Sequence, residues 1–222
     1  MMWFPRFFTH THVVLLVLLL GVTLLGFVLV PLGGSLPIHW GFSGAADAFS
    51  PAPVALLFPL FITLVLASVI GLFFSAKLTR ADFERGRSVI NAAFAALEVI
   101  ALVLLVGTIL IGIGQVVDMV RLIVLGVLGM FALIGNHLPK SQPNRLAGLR
   151  LPTTLADAGN WRVTHIWTGR LMLALSLIGI VIALFGPPIW VMIALVVSAG
   201  IVPMLAGTGI SLSMAKRAGK AG

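Results

Sequence analysis

Along the chain, long apolar blocks alternate with short polar segments, and the blocks lack the every-second-residue alternation of a half-buried strand. Six blocks, at residues 12–31, 53–76, 89–113, 116–135, 166–185 and 189–211, each lie near the ~17–25 residues that a helix needs to cross a bilayer core. In lipid only helices and closed barrels satisfy every backbone polar group, and the continuity of these blocks disfavours a barrel. The pattern predicts an all-α, polytopic membrane protein with six transmembrane helices. The turns Gly114-Gln115 and Gly186-Pro187-Pro188 are too short to cross a bundle, so spans three and four, and spans five and six, form antiparallel hairpins. Pro59 and Pro203 fall inside spans two and six, where each removes an intrahelical hydrogen bond and can kink its helix.

Composition agrees with this pattern. The chain is 60% hydrophobic and only 9% charged, against roughly 25% charged in a soluble domain. Val13 to Val30 is longer than the ~7–15 residues of a signal-peptide core, and no Ala-x-Ala site follows, so an uncleaved first helix is expected. Arg6 gives that block only a weak basic flank. The absence of Cys excludes disulfides, thiolate-held metals and thiol nucleophiles.

The formal charge of +8 lies between the apolar blocks, where it sets orientation and attracts anionic lipids rather than nucleic acid. Lys77, Arg80, Arg85 and Arg87 follow span two, Lys140, Arg145, Arg150 and Arg162 follow span four, and Lys216, Arg217 and Lys220 close the chain. The positive-inside rule therefore places both termini in the cytoplasm and the 32–52 loop outside. Arg121 is the exception, and Asp118 is spaced to pair with it at i,i+3.

Two loops and one helix carry the candidate chemistry. In the outer loop, Pro37 restricts the approach to His39, Gly41 and Gly44 permit tight turns, and Trp40 and Phe42 suit the membrane interface. His39 and Asp47 can hold an ion or a peptide if the turns bring them together; the alternative is a structured cap with a hydrogen-bonded His. Glu98, near the bilayer centre in span three, must face protein or water, with Asn91 two turns away on the same face and Arg170 as a candidate counter-ion. Two readings stay open for it: a ligand-sensing or proton-sensitive cavity, and a neutral Glu hydrogen-bonded between helices.

The inner loop is rich in Pro, Gly, Asn, His, Trp and Arg, which predicts a folded segment against the bundle. Asn160 is a candidate helix cap, and His137, His165, Arg150 and Arg170 are candidates to gather at the inner mouth. His39 is expected across the membrane from His137 and His165, so no three-His metal centre is expected, and no cofactor is implied.

The residues of this loop carry a family resemblance. Gly135-Asn136-x-Leu138-Pro139-Lys140-x-x-Pro143-Asn144, then Gly148-Leu149-Arg150-x-Pro152-x-Thr154-Leu155, then Trp161-x-x-Thr164-His165, resemble the SdpI family of bacterial multipass immunity proteins. Pro37-Ile38-His39-Trp40, followed by Gly44 and Asp47, is similar to the N-terminal domain often found with it. Thr153 stands where that family commonly has Trp, and Arg170 where a second Gly is frequent. The resemblance implies two parts: a two-helix hairpin with the outer motif at 1–88, and a four-helix region at 89–222 with the inner loop at 135–165. It also implies a multi-pass protein of the bacterial cytoplasmic (inner) membrane. The partners it implies are an extracellular peptide toxin and a cytoplasmic repressor.

The expected function is thus non-enzymatic immunity or signalling. A small-molecule or ion transporter is the main alternative, favoured by Glu98 and the internal prolines, but matched broken helices are missing. A membrane enzyme is third, because no metalloprotease helix, Gly-x-Ser-x-Gly nucleophile or P-loop occurs.

Overall fold

The computed structural model describes residues 9–41, 43–75 and 80–219. Arg6, Phe42, Lys77 and Lys220, which entered the orientation and anchoring arguments above, lie outside the described residues. Six long apolar helices run back and forth as α1 (His10–Leu29), α2 (Ala52–Ser75), α3 (Arg80–Gly112), α4 (Met119–His137), α6 (Ala158–Leu184) and α7 (Ile189–Ala218). A short helix, α5 (Pro152–Ala156), lies between α4 and α6. Six such helices are those of a polytopic membrane protein.

Two spans begin earlier than apolarity alone predicts. α3 starts at Arg80 rather than at residue 89, because the polar stretch before the apolar block continues the helix, with Asp82 in its first turn opposing the helix dipole. α6 starts at Ala158 rather than at residue 166, because Asp157 caps it, its carboxylate accepting the Gly159 N–H at 2.7 Å. Asn160 is therefore not the cap; it lies buried inside α6. At the start of α4, Asp118 accepts the Arg121 N–H at 3.0 Å and approaches the Arg121 guanidinium at 3.1 Å, the expected i,i+3 pair.

α3 packs against α1, α2 and α4, while α6 packs against α4 and α7, so the α3–α4 hairpin joins two helix groups. Leu19, Val30, Leu56, Leu105 and Ile109 form the core of the first group, and Val124, Leu128, Ala183 and Ala199 form the core of the second. Many large apolar side chains point outward, including Val17, Leu24, Val28 and Phe61, which suits contact with lipid rather than water. Without a hydrophobic drive between helices in lipid, close approach depends on small residues. At the α4–α6 crossing, a Cβ on Gly135 would sit 2.7 Å from the Gly169 carbonyl oxygen, so neither position has room for a side chain.

The segment between α1 and α2 corrects the purely helical expectation. Its polar backbone groups pair as an antiparallel hairpin of β1 (Ser35–Trp40) and β2 (Ala46–Pro51). The register slips on both sides of His39, just after Pro37, which has no N–H to donate. Leu36 fixes the hairpin by burying against Val30, Leu105 and Ile109. The hairpin therefore covers the bundle end that holds the C-termini of α1 and α3. Residues 138–157 cover the opposite end, where they meet the first turns of α3 through Arg85 and Gly86.

Candidate functional site

The loop end is a dense hydrogen-bond network centred on His165. The Leu149 N–H donates to His165 Nε2 at 2.9 Å, while His165 Nδ1–H donates to the Trp161 carbonyl at 2.7 Å. A backbone N–H can only donate and a carbonyl can only accept, so these two bonds fix a neutral imidazole with the proton on Nδ1. Trp161 stacks on that ring, with centroids 3.9 Å apart, and its indole N–H donates to the Ser141 carbonyl at 3.1 Å. Gly148 has φ +101° and lies directly against His165 Nε2, a conformation and a closeness that a Cβ would not permit.

Asn144 and Thr154 set the turns on either side. The Asn144 side-chain oxygen accepts the Leu146 and Ala147 N–H groups at 2.9 and 2.8 Å, and its amide donates to the Gln142 carbonyl at 2.8 Å. Thr154 donates to the Leu149 carbonyl at 2.7 Å and accepts the Leu151 N–H at 3.0 Å. Thr164 donates to Asn160 at 3.1 Å, and Asn160 donates to the Ser211 carbonyl at 2.9 Å, which ties α6 to α7. Thr153, at the position where Trp was expected, bonds the Ser211 hydroxyl at 2.7 Å.

The four residues expected to gather at the inner mouth do not form one cluster. His165 is buried in this network, whereas His137 bonds Ser88 of α3 at 2.8 Å. Arg150 is exposed and donates to the Arg145 carbonyl at 2.7 Å. Arg170 is also exposed, its guanidinium 5.8 Å over the Trp167 ring, so it points away from the tight Gly135–Gly169 crossing. Asn136 and Lys140 are exposed at the end of α4 and in the turn after it.

Arg170 is consequently not the counter-ion of Glu98. That partner is His12 of α1, whose Nδ1 lies 2.7 Å from Glu98 Oε2, with both side chains 1% exposed. His12 was missed because its signal is a single residue: a titratable group at the first position of the apolar block 12–31. Sequence spacing alone does not say which helix faces α3. On helical rise, Glu98 is about 21 Å from Gly112, which places it within a ~30 Å hydrocarbon core and on the loop side of its middle. Between α1, α3 and α4 a crevice of about 700 Å³ opens at the loop end, lined by Thr11, His12, Ser88, Asn91, Ala95 and His137 among others.

At the hairpin end, the turns do bring His39 and Asp47 together, with Nδ1 2.5 Å from Oδ1. Gly44 supplies the turn with φ +82°. The pair is open to its surroundings, at 68% and 52% exposure. Together with Trp40 it forms the rim of a groove of about 530 Å³ whose floor is Val120, Ile123, Val127, Ile193 and Val197 of α4 and α7. Among the described residues, no group of three or more His, Cys, Asp or Glu side chains gathers as a metal site.

Residues 140–207 match the SdpI/YfhL protein family. The chain is also 29% identical over 175 residues to the Immunity protein SdpI of Bacillus subtilis (strain 168), an alignment covering 77% of this chain and 81% of that protein. No solved structure matches. The chain is thus similar to that family over residues 140–207 and to that immunity protein over most of its length. The family match covers most of the His165 network and stops short of the hairpin and of Glu98.

Proposed function

We propose that the chain is a non-enzymatic, immunity-type protein of the bacterial cytoplasmic membrane that takes up an extracellular peptide at its hairpin end. The basic segments orient the chain with both termini and the loop end in the cytoplasm. The observation that carries the reading is the groove between α4 and α7, with an apolar floor and the His39–Asp47 pair and Trp40 at its rim. An amphipathic peptide fits that division: its apolar side chains displace lipid from the floor, while a backbone amide or a cationic group reaches Asp47. The resemblance to an immunity protein makes a peptide toxin the expected ligand.

The cytoplasmic face suits a second contact. Lys140, Arg145, Arg150 and Arg162 are exposed around the rigid His165 network, a basic surface for anionic lipid or for an acidic face of a repressor. Passing a signal between the two ends requires two packing states with different affinities for the peptide. The α4–α6 pair connects the ends, because α4 carries part of the groove floor and α6 carries His165.

The test is survival of peptide-susceptible cells expressing the chain, alongside peptide binding to the purified protein. Protection and binding that are both weakened in His39→Ala and Val197→Trp, at matched membrane abundance and without peptide cleavage, support immunity by capture. Protection that survives both substitutions refutes the groove, and solute counterflow in proteoliposomes would move the assignment to transport.

A further inference from the structure

The crevice at the loop end differs from the hairpin groove in the chemistry of its walls. Glu84, Ser88, Asn91 and Ala95 succeed one another at helical spacing along α3 and lead toward Glu98, one turn beyond Ala95. Across the crevice stand Thr11 and His12 of α1 and His137 of α4. The charged and titratable groups facing it are the Glu84–Arg87 pair at 3.7 Å, the His137–Ser88 bond, and His12 on Glu98.

Two buried oxygens call for donors, one on Asn91 in the crevice wall and one on Glu98, a turn beyond the last lining residue. His12 serves Glu98 Oε2, but among the described residues Glu98 Oε1 is buried without a hydrogen-bond partner, and so is Asn91 Oδ1. A carboxylate accepts up to about four hydrogen bonds; His12 supplies Glu98 with one donor at Oε2, and Oε1 calls for a second. An anionic ligand would be repelled. A calcium-type site needs about six to eight oxygen ligands, and no cluster of three or more acidic or imidazole groups exists among the described residues. A primary ammonium meets the requirement, because it brings three N–H donors and one positive charge.

We propose that this crevice is a binding site for a small primary amine, its ammonium on Glu98 and its chain lying along Ala95 to a second donor on Asn91. Residues seven apart on a helix are about 10 Å apart along the axis, so the best fit is a slender amine with donors at both ends. Ala92 and Ala95 are the small residues that leave this path open. This site is separate from the peptide groove, and either can fail without the other.

The experiment uses the full chain in lipid nanodiscs, with 1,6-diaminohexane as the probe and tetramethylammonium at equal ionic strength as a cation without donors. Saturable calorimetric binding and a rise in Tm with the diamine, neither seen with tetramethylammonium, are the expected results. Glu98→Gln, which still offers His12 an acceptor, should weaken diamine binding at least tenfold. Ala95→Leu, which blocks the path and leaves the carboxylate in place, should remove it. No saturable diamine binding, an equal response to tetramethylammonium, or unchanged binding in Glu98→Gln overturns the proposal. If Glu98→Gln does not fold, unchanged binding in Ala95→Leu overturns it, and loss of binding there supports it.

Discussion

At the loop end of the bundle, polar side chains are committed to the protein itself: Asn144, Thr154, Asn160, Trp161 and His165 are buried, and each bonds a backbone group of its own turn or of a neighbouring segment. At the hairpin end, His39 and Asp47 bond each other and remain open, above a floor of valine and isoleucine. The first arrangement makes a segment rigid. The second leaves polar groups at a boundary where something else can use them. Both regions carry His, Asp and Trp in sequence, so composition does not separate a staple from a docking rim; burial and the direction of each hydrogen bond do.

Substitutions sharpen this contrast by acting on folding at one end and on binding at the other. The largest effect is expected for Gly148→Ala, where strain at positive φ adds to collision with His165, a loss of about 3 kcal/mol or more, measured by steric-trapping or denaturant unfolding in bicelles. His165→Ala leaves the buried Leu149 N–H without its acceptor and removes the ring on which Trp161 stacks, and should cost about 2–3 kcal/mol in the same assay. A loss below ~0.5 kcal/mol would mean that the network is not a staple. Next comes Val197→Trp, on an exposed face of α7, which should lower peptide affinity about tenfold, roughly 1.4 kcal/mol, with stability unchanged. Trp161→Phe keeps the stack on His165 and removes the indole bond to Ser141, about 1 kcal/mol of stability. The smallest stability change belongs to His39→Ala, within ~0.5 kcal/mol because the pair is exposed, while peptide affinity falls severalfold. If His39→Ala instead unfolds the chain, the hairpin is a structural cap and the comparison between the two ends collapses.

Much of the architecture was legible in the residues. Six continuous apolar blocks gave the six helices, because lipid forces each block to satisfy its backbone internally. The short turns after spans three and five gave the antiparallel pairs, and the Asp118–Arg121 spacing gave a pair that forms. The inner loop was recognisable as a folded segment from its Pro, Gly and Asn content, although its residues could not be sorted. His165, Asn160 and Trp161 turn inward, while Arg150 and Arg170 turn outward, and that choice depends on where the α4–α6 crossing places each helix face.

What the sequence determined by itself is what depends on one segment at a time: which stretches are apolar enough to cross a bilayer, and that the segment between α4 and α6 folds against the bundle. Tertiary structure alone decided the partners: His12 rather than Arg170 on Glu98, the hairpin over the α4–α7 groove, and the polar crevice leading toward Glu98. The reason is that one apolar helix surface looks much like another to lipid. Which helices face each other is therefore set by the close packing of small residues and the need of a few buried polar groups for a partner, and both are properties of pairs of segments.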